Sequence, residues 1–213
     1  FTYVLVALFG TPAEREFLRS EVDRAHRQVR SRPGDPVSYS AFDPDLQLWV
    51  AACICKGMID SATTLEPDLD RETRDRLIRV ASRIGTTLQV PPEAWPADSN
   101  AFDRYWVENL QRLEVDDVTR DYLTDFLRLR WLGSVPSFLL GGLHTWISSG
   151  YLSDEFRRPL GLRWTETDQR RFDRLFATLV RIDPIFPDWL VRTGPRLYLW
   201  DFRRRQRRGK RFN

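Results

Sequence analysis

Apolar residues along this chain recur mostly at three- and four-residue spacings, and the alternating runs that form half-buried strands are nearly absent. Thr11-Pro12-Ala13-Glu14 reads as a capping box with proline at the first helical position. Phe17, Leu18, Val22, Ala25 and Val29 then keep one face apolar, so that helix is expected to end near Arg30 to Arg32. The loop-forming run Pro33-Gly34-Asp35-Pro36 follows. A second helix is predicted from Asp43-Pro44 through Leu46, Leu48, Trp49, Val50, Ala51, Ala52, Cys53, Ile54 and Met58. It is apolar on nearly every side, the mark of a central, buried helix.

A third helix, about Asp70 to Leu88, carries Leu77, Ile78, Val80, Ala81 and Ile84 on one face and charges on the other. Pro91-Pro92-Glu93-Ala94-Trp95-Pro96 reads as a loop. Further helices are expected at about 98–113, 117–131, 136–149 and 165–182, the last opening with the capping box Thr165-Glu166-Thr167-Asp168. Gly141-Gly142 either permits close helix packing or breaks a helix. The stretch Phe1 to Phe9 opens in mid-pattern, and sequence preceding it is expected to be missing.

No internal repeat or shift in composition marks a domain boundary, so the expected class is all-α, a single domain over residues 1–202 with a basic tail at 203–213. At 213 residues and 42% hydrophobic, with 13 Phe and 8 Trp, the chain can fill one sizeable core. Cys53 and Cys55 match neither a CxxC redox spacing nor a zinc spacing and read as small core residues. They suit a reducing compartment, and with no membrane-spanning stretch or signal peptide expected, the protein is read as soluble and cytoplasmic. Arg203, Arg204, Arg205, Arg207, Arg208, Lys210 and Arg211 outweigh the net charge of +3, so the remaining chain is mildly acidic. Such a run reads first as a solvated tail; anionic lipid is a second reading, and nucleic acid is not expected because no reading module accompanies it.

His26 is the most informative polar residue. Lying four after Val22 and eight after Leu18, it points with the apolar face. A neutral imidazole presented from a helix into an apolar pocket suits an axial haem ligand, and equally a satisfied core histidine. His144, in an apolar, Gly-rich segment, reads as structural. Asp68, Asp70, Asp116 and Asp117 read as helix starts, and Tyr39, Trp49, Trp106 and Trp131 as core or pocket-lining aromatics. Walker A, GxGxxG, HExxH and GxSxG motifs are absent.

Val22-Asp23-Arg24-Ala25-His26-Arg27-Gln28-Val29-Arg30, then Tyr39-Ser40-Ala41-Phe42-Asp43-Pro44, then Trp49-Val50 form an ordered set. With the opening Tyr3-Val4 and Phe9-Gly10, and Arg158-Pro159-Leu160-Gly161-Leu162-Arg163-Trp164, it resembles the oxygenase family of the fungal MpaB protein and the catalytic domain of latex clearing protein, a rubber oxygenase. The resemblance implies a helical bundle enclosing haem b, with His26 as the iron ligand and Val22, Val29, Trp49 and Thr2 around the cofactor. It also implies activation of O2 and oxidation of a hydrophobic, lipid- or isoprenoid-like substrate. Two positions depart from the family pattern: Asp23 stands where arginine is expected, and Ala51 where many relatives carry histidine. The reading from a different class is a non-catalytic helical protein that holds a hydrophobic ligand, attached at a membrane surface through its basic tail.

Overall fold

The computed structural model describes residues 2–35, 37–182 and 188–208, with the side chains of 188–192 set aside. Phe1, Pro36, Lys210 and Arg211 therefore lie outside the described residues. The chain is all-α: α1 (Thr2–Phe9), α2 (Pro12–His26), α3 (Pro44–Leu65), α4 (Arg71–Thr86), α5 (Ser99–Leu110), α6 (Asp117–Leu127), α7 (Ser134–Tyr151), α8 (Asp154–Arg157), α9 (Glu166–Ile182) and α10 (Asp188–Arg207). Among the described residues no strand forms, and an isolated antiparallel bridge joins Arg30 to Ser40. The helices gather into two compact units. One is Phe1–Ile59, Leu69–Tyr105 and Pro184–Asn213; the other is Asp60–Asp68 and Trp106–Asp183.

The first unit is built round α1. Leu5, Val6, Ala7 and Leu8 are all buried, and four successive residues cover the whole circumference of a helix. Helices α2, α4 and α10 pack against it. Val6, Leu18 and Phe202 form a buried cluster flanked by Tyr3, Phe17, Val22 and Leu199. The predicted capping box opens α2: Glu14 N donates to Thr11 Oγ1 at 3.2 Å, and Thr11 N to Glu14 Oε2 at 2.8 Å. The same buried carboxylate accepts Arg203 Nε at 2.6 Å. The basic stretch read as a tail is thus helical through Arg207 and anchored at Phe202 and Arg203.

Helix α2 stops at His26, four residues or more before the expected end. The reason lies in the following backbone, which pairs with residues 39–41 instead. Ala41 N donates to Val29 O at 2.9 Å, and Ser31 N to Tyr39 O at 3.0 Å. Tyr39 is consequently exposed rather than core.

The expectation of all-round burial belongs to α1, not α3. Helix α3 buries Leu48, Ala51, Ala52, Cys55 and Ile59 but leaves Leu46 and Val50 exposed. By length and composition alone α3, which contains an 18-residue window of mean hydropathy 1.2, is long and apolar enough to cross a membrane, whereas no such stretch was expected from the sequence. The neighbouring α4 buries Ile78, Ala81 and Ile84 but exposes Val80. Its cap is Asp70, as expected, whose side chain accepts Thr73 N at 2.7 Å. Cys53 and Cys55 are unbridged, and burial pushes their thiols up to about 11 and about 12.

In the second unit, Asp116 caps α6 and accepts Thr119 N at 2.7 Å. Small residues of α7 face α6 and the turn after it. Thr145 Oγ1 donates to Leu127 O at 3.1 Å and Ser137 Oγ to Arg128 O at 2.8 Å. The choice at Gly141 falls on close packing, because a Cβ there would stand 2.5 Å from Arg128 O. An aromatic cluster joins α7 to α9: Phe172 is buried against Tyr151, Trp164 and Phe176, with centroids 5.3, 5.9 and 4.6 Å away. Trp131, expected in the core or lining a pocket, is 63% exposed.

Phe172 occupies the space a side chain at Gly150 would need, since a Cβ would lie 2.2 Å from its ring. Gly150→Ala is expected to cost about 1–3 kcal/mol through overpacking. Gly142→Ala, with nothing within 4 Å, should be neutral or stabilising by up to about 1 kcal/mol. Urea unfolding of the two variants beside the parent measures both effects.

The Arg203 side chain bonded to Glu14 holds that carboxyl below the ordinary glutamate value. Its folded pKa is therefore lower than its unfolded one, so the stabilisation is present above the ordinary range and is lost as pH falls through the folded value. Glu14→Gln should flatten that acid limb, as read from unfolding midpoints across a pH series.

Candidate functional site

His26 is the last residue of α2, where the chain leaves the helix for the paired segment ending at Ala41. The ring stands edge-on to Phe42, with centroids 6.2 Å apart and planes at 90°. It borders a cavity of about 390 Å³ within the first unit. Val22, Val50, Ile54, Ile84 and Leu88 supply apolar walls, and Ala51 lies among the lining residues. That last position is the one at which the sequence resemblance led histidine to be expected.

The Nδ1 atom of His26 is buried and has no hydrogen-bond partner among the described residues. Buried polar atoms are ordinarily paired, so an unpaired one calls for an explanation. The other histidine does not share this condition: His144 Nδ1 meets Leu127 O at 2.7 Å, as a structural histidine would. The two polar neighbours in the cavity wall are already engaged. Tyr3 donates its hydroxyl to the Ile84 carbonyl, and burial raises its pKa. Gln47, itself buried, donates Nε2 to Ala41 O at 2.7 Å and to Gln89 Oε1, while its Oε1 accepts Gln89 N at 2.9 Å.

The network continues to Asp23. Gln89 Nε2 donates to Asp23 Oδ1 at 2.8 Å, and Arg19 pairs with Asp23 at 3.8 Å. Asp23 therefore ties the end of α2, one turn before His26, to the segment after α4 and onward to α3. Arg24 does not stand in for the expected arginine at this wall; it forms a two-toothed pair with Glu21 at 2.5 and 2.7 Å.

Of the residues singled out from the sequence, His26 and Val22 line the cavity together. Val29, Trp49 and Thr2 are not among its lining residues. Val29 lies beyond the helix end and is exposed, and Trp49 packs towards Tyr105 at 6.5 Å. Gln47 was not singled out at all, and Tyr3, Ile84 and Leu88 were named as motif or helix residues without a place in the site. Ala41 and Leu46 were within quoted runs, but only the fold shows which way they face.

Over residues 1–182 the chain matches the family described as ER-bound oxygenase mpaB/B'/Rubber oxygenase, catalytic domain. The chain belongs to the MpaB/rubber oxygenase catalytic-domain family. Two relatives are uncharacterized proteins of Mycobacterium bovis and Mycobacterium tuberculosis. Each is 41% identical over 210 residues, which is 99% of this chain and 82% of the relative. No solved structure matches the chain. The MpaB/rubber oxygenase region takes in α1 to α9, and the residues lining the His26 cavity lie inside it.

Within this family member, Gln47 offers a direct check on the wall of the site. Gln47→Leu removes the partner of the Ala41 carbonyl and of both Gln89 groups it meets. The loss is expected to be about 1–3 kcal/mol of stability, measured by thermal or urea unfolding.

Proposed function

We propose that this protein is a haem-dependent oxygenase that uses O2 on a hydrophobic, lipid- or isoprenoid-like substrate, with His26 as the protein ligand to the iron. The observation that carries the reading is the unpaired, buried Nδ1 of His26 at an otherwise apolar cavity. Membership of an oxygenase family supports the general chemistry.

The donor set fits a cofactor that brings most of its own ligands. Among the described residues, no three His, Cys, Asp or Glu side chains converge on a point. A lone imidazole suits a metal whose remaining positions are filled by a macrocycle. Haem, when bound, supplies the iron-centred activation of O2, the part of the chemistry no side chain here could perform.

The chain's own residues bind, orient and exclude water. His26 presents its imidazole from the fixed end of α2, while Val22, Ile54, Ile84 and Leu88 offer apolar contact. Asp23, Gln89 and Gln47 satisfy one another, so they hold the wall without presenting free polar groups to the cavity. The hydroxyl of Tyr3 is likewise held by a backbone carbonyl. A cavity walled in this way favours apolar molecules over polar ones.

The test is absorption spectroscopy of the protein and His26→Ala, each reconstituted with haemin, in ferric, dithionite-reduced and CO-treated forms. A Soret band that shifts on reduction and CO, and collapses in the variant, is the expected result. Because Nδ1 has no partner to strand, His26→Ala should keep the helical circular dichroism of the parent. A featureless spectrum with haemin present would sink the haem reading and leave the apolar cavity as a site for a hydrophobic ligand.

A further inference from the structure

Helix α7 is turned inside out relative to an ordinary surface helix. Many of its inward residues are small or hydroxylic: Gly141 and Ser149 are buried, and Ser137 and Thr145 are bonded to the carbonyls of Arg128 and Leu127 at the end of α6. Its outward residues are large and apolar. Val135, Phe138, Leu139 and Leu143 are all exposed, Phe138 to 88%. Their spacing of three, four and eight from the first places them on one stripe. From Ser134 to Tyr151 the helix holds no Asp, Glu, Lys or Arg.

Helix α6 repeats the theme. Val118, Tyr122 and Phe126, at successive intervals of four, are exposed, and Phe126 stacks on Trp131 with centroids 6.2 Å apart. Exposed apolar side chains grouped in this way mark a surface of contact with a protein, a ligand or a membrane.

A second feature of the same unit says which of these it is. A cavity of about 650 Å³ is lined by Arg128, Arg130 and Arg163, with the indoles of Trp146 and Trp164, and no carboxylate lies among its lining residues. Arg130 is paired with Asp125 at 2.7 Å. Arg128 and Arg163 have no carboxylate partner among the described residues. From α7 the cavity also takes Gly142 and Trp146, which stand seven and eleven residues after Val135 and so continue the line of the apolar stripe.

We propose that this face of the second unit docks on a bilayer containing anionic phospholipid. Arg128 and Arg163 take headgroup phosphate, and the stripe of α7 enters the acyl boundary. Cations beside an aliphatic stripe, with the Trp131 indole nearby, match the order of layers in a lipid surface: phosphate, interface, hydrocarbon. A free phosphate would use the arginines and leave the stripe bare. A symmetric second copy would cover the stripe but bring the same arginines of both chains towards each other. The proposal does not rest on haem, so its test stands apart from the spectroscopic one.

The experiment is flotation of the full chain with vesicles of phosphatidylcholine alone and of phosphatidylcholine with phosphatidylglycerol. Parent protein should float with the anionic vesicles. R128Q/R163Q should lower partitioning roughly fivefold per arginine, and F138S/L139S by about tenfold or more. Both pairs are surface changes, and circular dichroism confirms that the variants remain folded. R204Q/R207Q/R208Q should lower partitioning less than either pair. Failure of the parent to float, or flotation of F138S/L139S equal to the parent, overturns the proposal. So does binding that survives R128Q/R163Q and is lost in the α10 variant, which would assign attachment to the basic C-terminal helix. A dimer seen by gel filtration, abolished by Phe138→Ser in a protein that does not float, would assign the stripe to a second copy.

Discussion

A helix whose apolar side chains cover its whole circumference cannot lie on a surface, and α1 is such a helix. Leu5 to Leu8 leave no face for water, so the first unit has to wrap α1 with α2, α4 and α10. The other placements follow. Phe202 is drawn in from the far end of the chain to meet Val6 and Leu18. With it comes Arg203, whose guanidinium closes on the Glu14 carboxylate already committed to the α2 cap. A single carboxylate thus joins the start of α2 to α10, because a buried charge is tolerable only when paired and fully bonded.

The same wrapping positions the candidate site. Tyr3 of α1 reaches the last turns of α4, and α2 runs from its anchored cap to end at His26 beside them. The site is an apolar chamber with its polar groups satisfied in pairs, save one ring nitrogen. That contrast gives His26 its meaning: where Gln47, Gln89, Asp23 and Tyr3 all have partners, a half-buried imidazole whose Nδ1 is buried and unpaired is the exception. The second unit follows another rule. Its close packing comes from small residues of α7 and from the aromatic cluster around Phe172, and a set of large apolar side chains, Val135, Phe138, Leu139 and Leu143 among them, is left outside.

Local chemistry was legible in the sequence wherever it acts over one turn. The capping box at Thr11, the proline start of α3, and the caps at Asp70 and Asp116 all form as their residue types require. Helices α3, α4, α5, α7 and α9 also stand close to their expected places, whereas α10 was not among the expected helices, and the succession of motifs around His26 led to the family that the comparison shows. Periodicity also put His26 and Val22 on a common face, and they do share the cavity.

Tertiary structure decided what periodicity cannot. Whether Val29 continued α2 depended on its backbone finding Ala41 across a loop, a partner twelve residues away. Which apolar helix became central depended on the enclosure available, and it was α1 rather than the longer α3. The polar chain from Asp23 through Gln89 to Gln47 joins residues up to sixty-six positions apart, and no local pattern announces it. The sequence by itself determined helix starts, helix class and the family, because these rest on short-range hydrogen bonds and side-chain chemistry. Only the folded chain determined which side chains face the cavity and which face outward, because burial is a property of what packs opposite.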